Sequence, residues 1–402
     1  MLRRCTARGR CPFNTELALN RAGRGYTRLL PRLRAVGKQW PPALRRRHRR
    51  HARTPTLKLS TIPFVPGRPL AATAAAAMAC LMLAGCASVN RPRADDAELV
   101  RERETQNELI VERQLRRQRR LDGIAFDFMR RNAPFCGKDA IASVDARVAN
   151  LAAFPEARRA AVARRFGVGE GLSVLWTLPG ESALREGDRV ASIRGVPAEP
   201  GERGLRQWRE ALRASDGELR LTVLRDGREQ PVSAPTRPAC DYPVMANPDA
   251  AINAFNDGEQ IVFYAGMLDL FAEDRDIAVV LGHELAHGTR GHVAKGRAAA
   301  VFGALLDTAL GDTGLVAGLA SAPFSRRMEA EADYTGLYMA ANAGYDIAQA
   351  ERVWREIGVT VASSADKKAA DTHPSSPERY VAIRRTVAEI QDRQRAGRPL
   401  AP

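Results

Sequence analysis

The chain has 402 residues, with 62 Lys and Arg against 46 Asp and Glu, a formal net charge of +16, six Cys and six His. The positive excess is confined to the front: residues 1–85 hold eighteen Lys and Arg and one acidic residue, Glu16, leaving 44 basic against 45 acidic residues in 86–402. That excludes a globally basic nucleic-acid binder, and a hydrophobic content of 45% argues against a disordered chain.

Residues 1–66 form a basic extension, with Arg45, Arg46, Arg47, Arg49 and Arg50 clustered around His48, too long and too basic for a signal n-region and expected to reflect an early start codon. Residues 67–85 read as a secretory signal, with Arg68 ahead of the apolar stretch Leu70 to Ala84. The end of that stretch, Leu83-Ala84-Gly85-Cys86, resembles the bacterial lipobox, which implies lipidation of Cys86 and a membrane-anchored chain facing the periplasm. Ala87, which is not Asp, fits sorting to the outer membrane.

Within an anchor-proximal segment, 86–139, residues 94–132 are charge-rich, with apolar positions at Leu109, Leu115, Leu121, Ile124, Phe126 and Phe128, and predict a helix leading from the anchor with a solvated charged face. Outside the extension, the signal and Cys86, two cysteines remain, Cys136 and Cys240. An even pair in an exported body suggests a disulfide, two buried thiols being the alternative.

Residues 140–237 change to short β-like runs, Leu172 to Leu175, Arg189 to Ile193 and Leu219 to Leu224, the last followed by Asp226-Gly227 as a turn. The phrase from Leu184 to Val196, a helical stretch around Trp208 and the following Leu-Thr-Val-Leu-Arg-Asp-Gly resemble a bacterial PDZ domain. Such a module implies an extended peptide as a candidate ligand, bound by strand addition.

From 238 to 395 the pattern is mostly helical with a β-rich start, Ile252 to Met267, where Asn256-Asp257-Gly258 signals a hairpin. The apolar run Ile277 to Leu281 leads into His283-Glu284-Leu285-Ala286-His287. Residues four apart on a helix share a face, about 6 Å apart along the axis, so both imidazoles can reach one metal ion. Glu284 then sits beside the pair, placed to act as a base on a water without taking a ligand position. A hydrolytic zinc site needs a third protein ligand. Glu329 and Asp333 are again four apart, whereas Glu331 points away, so Glu329 is the expected third ligand and Asp333 the acceptor for a ligand histidine N–H.

These phrases, with His292 and with Thr372-His373-Pro374 and Arg379, resemble the zinc peptidases related to HtpX and the CAAX prenyl proteases, in the soluble periplasmic branch that includes BepA and LoiP. The resemblance covers roughly residues 245 to 390. It implies an α+β fold: a mostly helical, gluzincin-like zincin domain with a small hairpin and edge strand, behind the β-rich PDZ-like domain. It further implies one zinc ion, an edge strand around Asn253, Ala254 and Phe255 that binds extended substrate, and unfolded or misfolded envelope proteins as substrates. His373 is expected at the catalytic centre, either closing the site as a reversible ligand or donating a hydrogen bond. His292 and Arg379 are expected to be structural. Residues 298–322 read as buried helix, with a mobile flap as the alternative. A different class, a chaperone or assembly factor whose zinc site is latched shut, also fits the pattern.

Overall fold

The computed structural model describes residues 94–402 apart from 179, 181, 297, 299–324 and 364–375. The basic extension, the signal, Cys86, most of 298–322 and the phrase around His373 therefore lie outside the described residues.

Helix α1 (Asp96–Arg131) begins at a reciprocal cap: Glu98 N–H donates to Asp95 Oδ1 at 2.7 Å, and Asp95 N–H donates to Glu98 Oε2 at 2.9 Å. Its first half is largely exposed, as the charge run predicts, but its second half is largely buried or half-buried. Leu121, Ile124, Ala125, Phe128 and Met129, one helical stripe, are buried in the same core as Ile277, Leu281, Leu285, Leu337 and Tyr338. Arg120 ties this half down, donating to the Leu268 and Ala272 carbonyls at 3.0 and 2.9 Å.

Behind α1, strand β1 (Ala140–Ser143) is followed by β2 (Ala146–Ala149) and helix α2 (Glu156–Phe166). Strands β3 (Ser173–Thr177), β4 (Arg189–Ile193) and β5 (Val196–Pro197) precede helix α3 (Gly201–Arg213), which carries the buried Trp208. Strands β6 (Glu218–Arg225) and β7 (Arg228–Pro235) complete a six-stranded sheet of order β2-β3-β4-β6-β7, with β5 on β4. Asp226 and Gly227 both take positive φ, 51° and 74°, as a two-residue hairpin turn between right-twisted strands requires. Asp188, 1% exposed, anchors the start of β4: the Arg225 guanidinium donates to both its oxygens at 2.7 and 2.6 Å, and Arg185 N–H adds 2.8 Å. Burial works against that carboxylate, but Arg225 and the Arg185 amide hold its pKa below the usual range.

Strand β8 (Arg237–Cys240) returns to pair antiparallel with β1, and a disulfide joins Cys136 to Cys240 across a separation of 104 residues. Two strands flanking the β-rich segment thus close on each other, next to the C-terminus of α1.

The remaining sheet has the order β10-β11-β9, built from β9 (Val244–Asn247), β10 (Ala254–Asn256) and β11 (Ile261–Tyr264). β10 and β11 are the antiparallel hairpin that Asn256-Asp257-Gly258 signals, and β9 runs parallel to β11. Gln118 of α1 closes the outer edge of β9 as a substitute peptide group: its Nε2 donates to Val244 O at 2.9 Å and its Oε1 accepts from Ala246 N–H at 2.8 Å. The opposite terminal strand of the sheet is β10. Behind this sheet follow helices α4 (Ala265–Leu270), α5 (Asp274–Thr289), α6 (Arg326–Asn342), α7 (Ala350–Ser363) and α8 (Pro377–Arg395). The fold is mixed helix and sheet, and among the described residues no helix is long and apolar enough to cross a membrane.

Candidate metal centre

The centre lies where α5 crosses α6. At the crossing the helices touch backbone to backbone: a Cβ on Gly336 would lie 2.6 Å from the Gly282 carbonyl carbon and from His283 N, and a Cβ on Gly282 would run into the Gly336 carbonyl. Glycine at both positions is what lets the side chains next to them reach across. α5 is buried all round from Asp276 to His287, as a central helix must be. Asn256 of β10 fixes it lengthwise, its Nδ2 donating to the Glu284 carbonyl at 2.9 Å.

His283, His287 and Glu329, all buried, could hold a metal ion, with their ligand atoms within 4.8 Å of one another. The two Nε2 atoms are 3.0 Å apart, and Glu329 oxygens stand 3.5 Å from His283 Nε2 and 3.3 Å from His287 Nε2. A tetrahedral zinc with N and O ligands at 2.0–2.2 Å sets its ligand atoms about 3.3 Å apart, so the trio has the spacing that such an ion needs.

The second nitrogen of each histidine also has a partner. His283 Nδ1 lies 2.8 Å from Asp333 Oδ1. Asp333 is gripped from α8 by Arg379, whose Nε and Nη2 donate to its two oxygens at 2.7 and 2.8 Å. Arg379 also comes within 3.6 Å of Glu329, and its guanidinium stacks 4.0 Å over the Trp354 ring, which itself meets His283 edge-on at 4.7 Å. Burial pushes against a charged His283, but the hydrogen bonds and charges of Asp333 and Glu329 outweigh it and push its pKa up to about 9. Burial likewise opposes the Asp333 carboxylate, and the Arg379 charge and the His283 hydrogen bond hold its pKa below the usual range. The pocket thus favours positive charge between its carboxylates, from a proton or a cation.

The structure therefore brings His283, His287, Glu329 and Asp333 together, and Glu284, next to His283 in α5, is buried at 2% exposure. His373 lies outside the described residues. Asn253, Ala254 and Phe255 lie on or beside the terminal strand that packs on α5. Arg379, expected only to be structural, is the ion-pair partner of Asp333 at the centre, and Trp354 and Asn256 are further parts that spacing alone does not mark. Their only sequence signal is type: a tryptophan, and an Asn at a hairpin.

Residues 229–387 match the model of Peptidase family M48. The chain is 34% identical over 146 residues to the mitochondrial metalloendopeptidase OMA1 of Arabidopsis thaliana, covering 34% of this chain and 30% of that protein. With OMA1 of Saccharomyces cerevisiae it is 31% identical over 150 residues, 34% and 44% of the two chains. With the metalloprotease LoiP of Escherichia coli it is 28% identical over 149 residues, 33% and 58%. The matched region thus spans from under a third to somewhat over half of these relatives. The comparisons support metallopeptidase chemistry, and they correct the expected location. Relatives from plant, yeasts and animals are named as mitochondrial enzymes, which overturns the periplasmic, outer-membrane expectation and points to another compartment.

Proposed function

We propose that the region of this chain matching Peptidase family M48 is a zinc-dependent endopeptidase acting on extended stretches of unfolded or misfolded polypeptide. The observation that carries the reading is the convergence of His283, His287 and Glu329 at the spacing of three ligands, with Glu284 buried on the same helix, next in sequence to His283. These three residues would hold one zinc ion. Bound there, zinc supplies a Lewis acid that polarises the scissile carbonyl and acidifies a water molecule. Glu284 is the group placed to hold the attacking water, take its proton and deliver it to the departing amine nitrogen. Asp333, held by Arg379, keeps the His283 ring in the tautomer that presents Nε2.

Selection for extended chain follows from β10. As a terminal strand packed against α5, its main chain would pair with a substrate strand, with Asn253, Ala254 and Phe255 along the contact. We read the six-stranded sheet with α3 as the PDZ-like module. A cavity of about 480 Å³ between this module and α1, lined by Trp176, Trp208 and Leu212 on one side and by Ala125, Met129 and Val244 on the other, would take an apolar peptide segment. The test is cleavage of unfolded casein by the full chain: internal cuts that a chelator abolishes and added zinc restores. Casein left whole by zinc-loaded protein contradicts the proposal.

A further inference from the structure

The two histidines of the centre are supported differently. His283 meets a carboxylate directly, but the Nδ1 of His287 lies 3.2 Å from the Nδ1 of His292, and His292 Nε2 lies 3.2 Å from Glu331 Oε2. His292 is wholly buried, while the Glu331 side chain is about half-exposed, at 47%. A residue five positions past His287 would point elsewhere on a continued helix. Here α5 ends at Thr289, and Gly291, at φ 68° in the left-handed region, turns the chain so that His292 folds back under His287.

We infer that His292 is a positioning residue for His287, the inner member of a carboxylate–histidine–histidine relay running from Glu331. The inference rests on the proposed metal site and deepens it. His287 can present Nε2 to an ion only with its proton on Nδ1. That proton is then donated to His292 Nδ1, so His292 carries its own proton on Nε2 and donates it to Glu331. Each ring has one tautomer that satisfies both contacts, and together they fix the plane of His287. Glu331, which the four-residue spacing sets aside as a ligand, acquires a role through an intermediary.

The experiment measures zinc affinity by chelator competition, together with the visible absorption of the cobalt-substituted protein, on the full chain. His292→Leu removes the acceptor at nearly constant volume and should weaken zinc binding about 10- to 100-fold and shift the cobalt bands. His292→Asn puts an amide oxygen where Nδ1 stood and should recover most of the affinity and the wild-type spectrum. Leu binding zinc as tightly as wild type overturns the inference, and so does equal loss in Leu and Asn accompanied by a lowered melting temperature of the metal-free protein. Should His292→Leu fail to fold, Glu331→Ala at the exposed end should still weaken binding, and unchanged affinity there overturns the relay. Wild type is titrated alongside: no zinc binding by wild type defeats the metal site itself, whereas normal wild-type binding with unaffected variants defeats only the relay.

Discussion

Glu284→Gln is expected to lower the turnover of unfolded casein about 100- to 10,000-fold while leaving bound zinc unchanged. Gln has the same shape and can still hydrogen-bond a water, so binding and packing survive, but an amide cannot take a proton. Burial makes the substitution clean: at 2% exposure the side chain is enclosed by its neighbours, and the backbone there is held by Asn256. Measuring turnover and zinc content on one preparation separates loss of the base from loss of the metal. Turnover within tenfold of wild type would remove Glu284 from the mechanism.

The second large effect is expected from a single methyl group. Gly336→Ala puts a Cβ 2.6 Å from the backbone of Gly282 and His283, where no flexible side chain can give way. Ala in place of Gly inside a helix ordinarily stabilises by roughly 0.5–1 kcal/mol. Overpacking of this kind costs about 1–3 kcal/mol, so the clash wins. Relief requires α5 and α6 to separate, which carries His283 away from Glu329 and Asp333. A shift of about 1 Å at a catalytic constellation can cost about 100-fold in rate. Gly336→Ala should therefore lower both the thermal midpoint and zinc affinity, and Gly282→Ala should do the same. An alanine variant more stable than wild type with zinc affinity intact would show that the helices do not need this approach.

The parts of the centre that follow helix periodicity are legible in the sequence. His283 with His287 and Glu329 with Asp333 are each one turn apart, so each pair declares its own face. What periodicity does not give is how faces meet. The crossing that joins the two pairs is marked only by single glycines inside helical patterns, and that signal says close packing without naming the partner. Arg379 is further removed: its carboxylate partner lies 46 residues away, and an arginine in a charged helix looks like any solvated one. The strands around Arg189 and Leu219 and the hairpin at Asn256 are legible through alternation and turn chemistry. The apolar stripe of α1 is visible too, yet the charge around it hides that Leu121, Ile124 and Phe128 belong to the core shared with α5 and α6. His292 reads as structural because a five-residue spacing has no meaning on a continuous helix. It acquires one only through the turn at Gly291.

The most direct test of the account is zinc stoichiometry by elemental analysis of the purified full chain, taken together with X-ray absorption at the zinc edge. One ion per chain with two imidazoles and a carboxylate around it, lost in His283→Ala and in Glu329→Ala, is the predicted result. A chain that binds no zinc after reconstitution, or binds it equally well without Glu329, would contradict it.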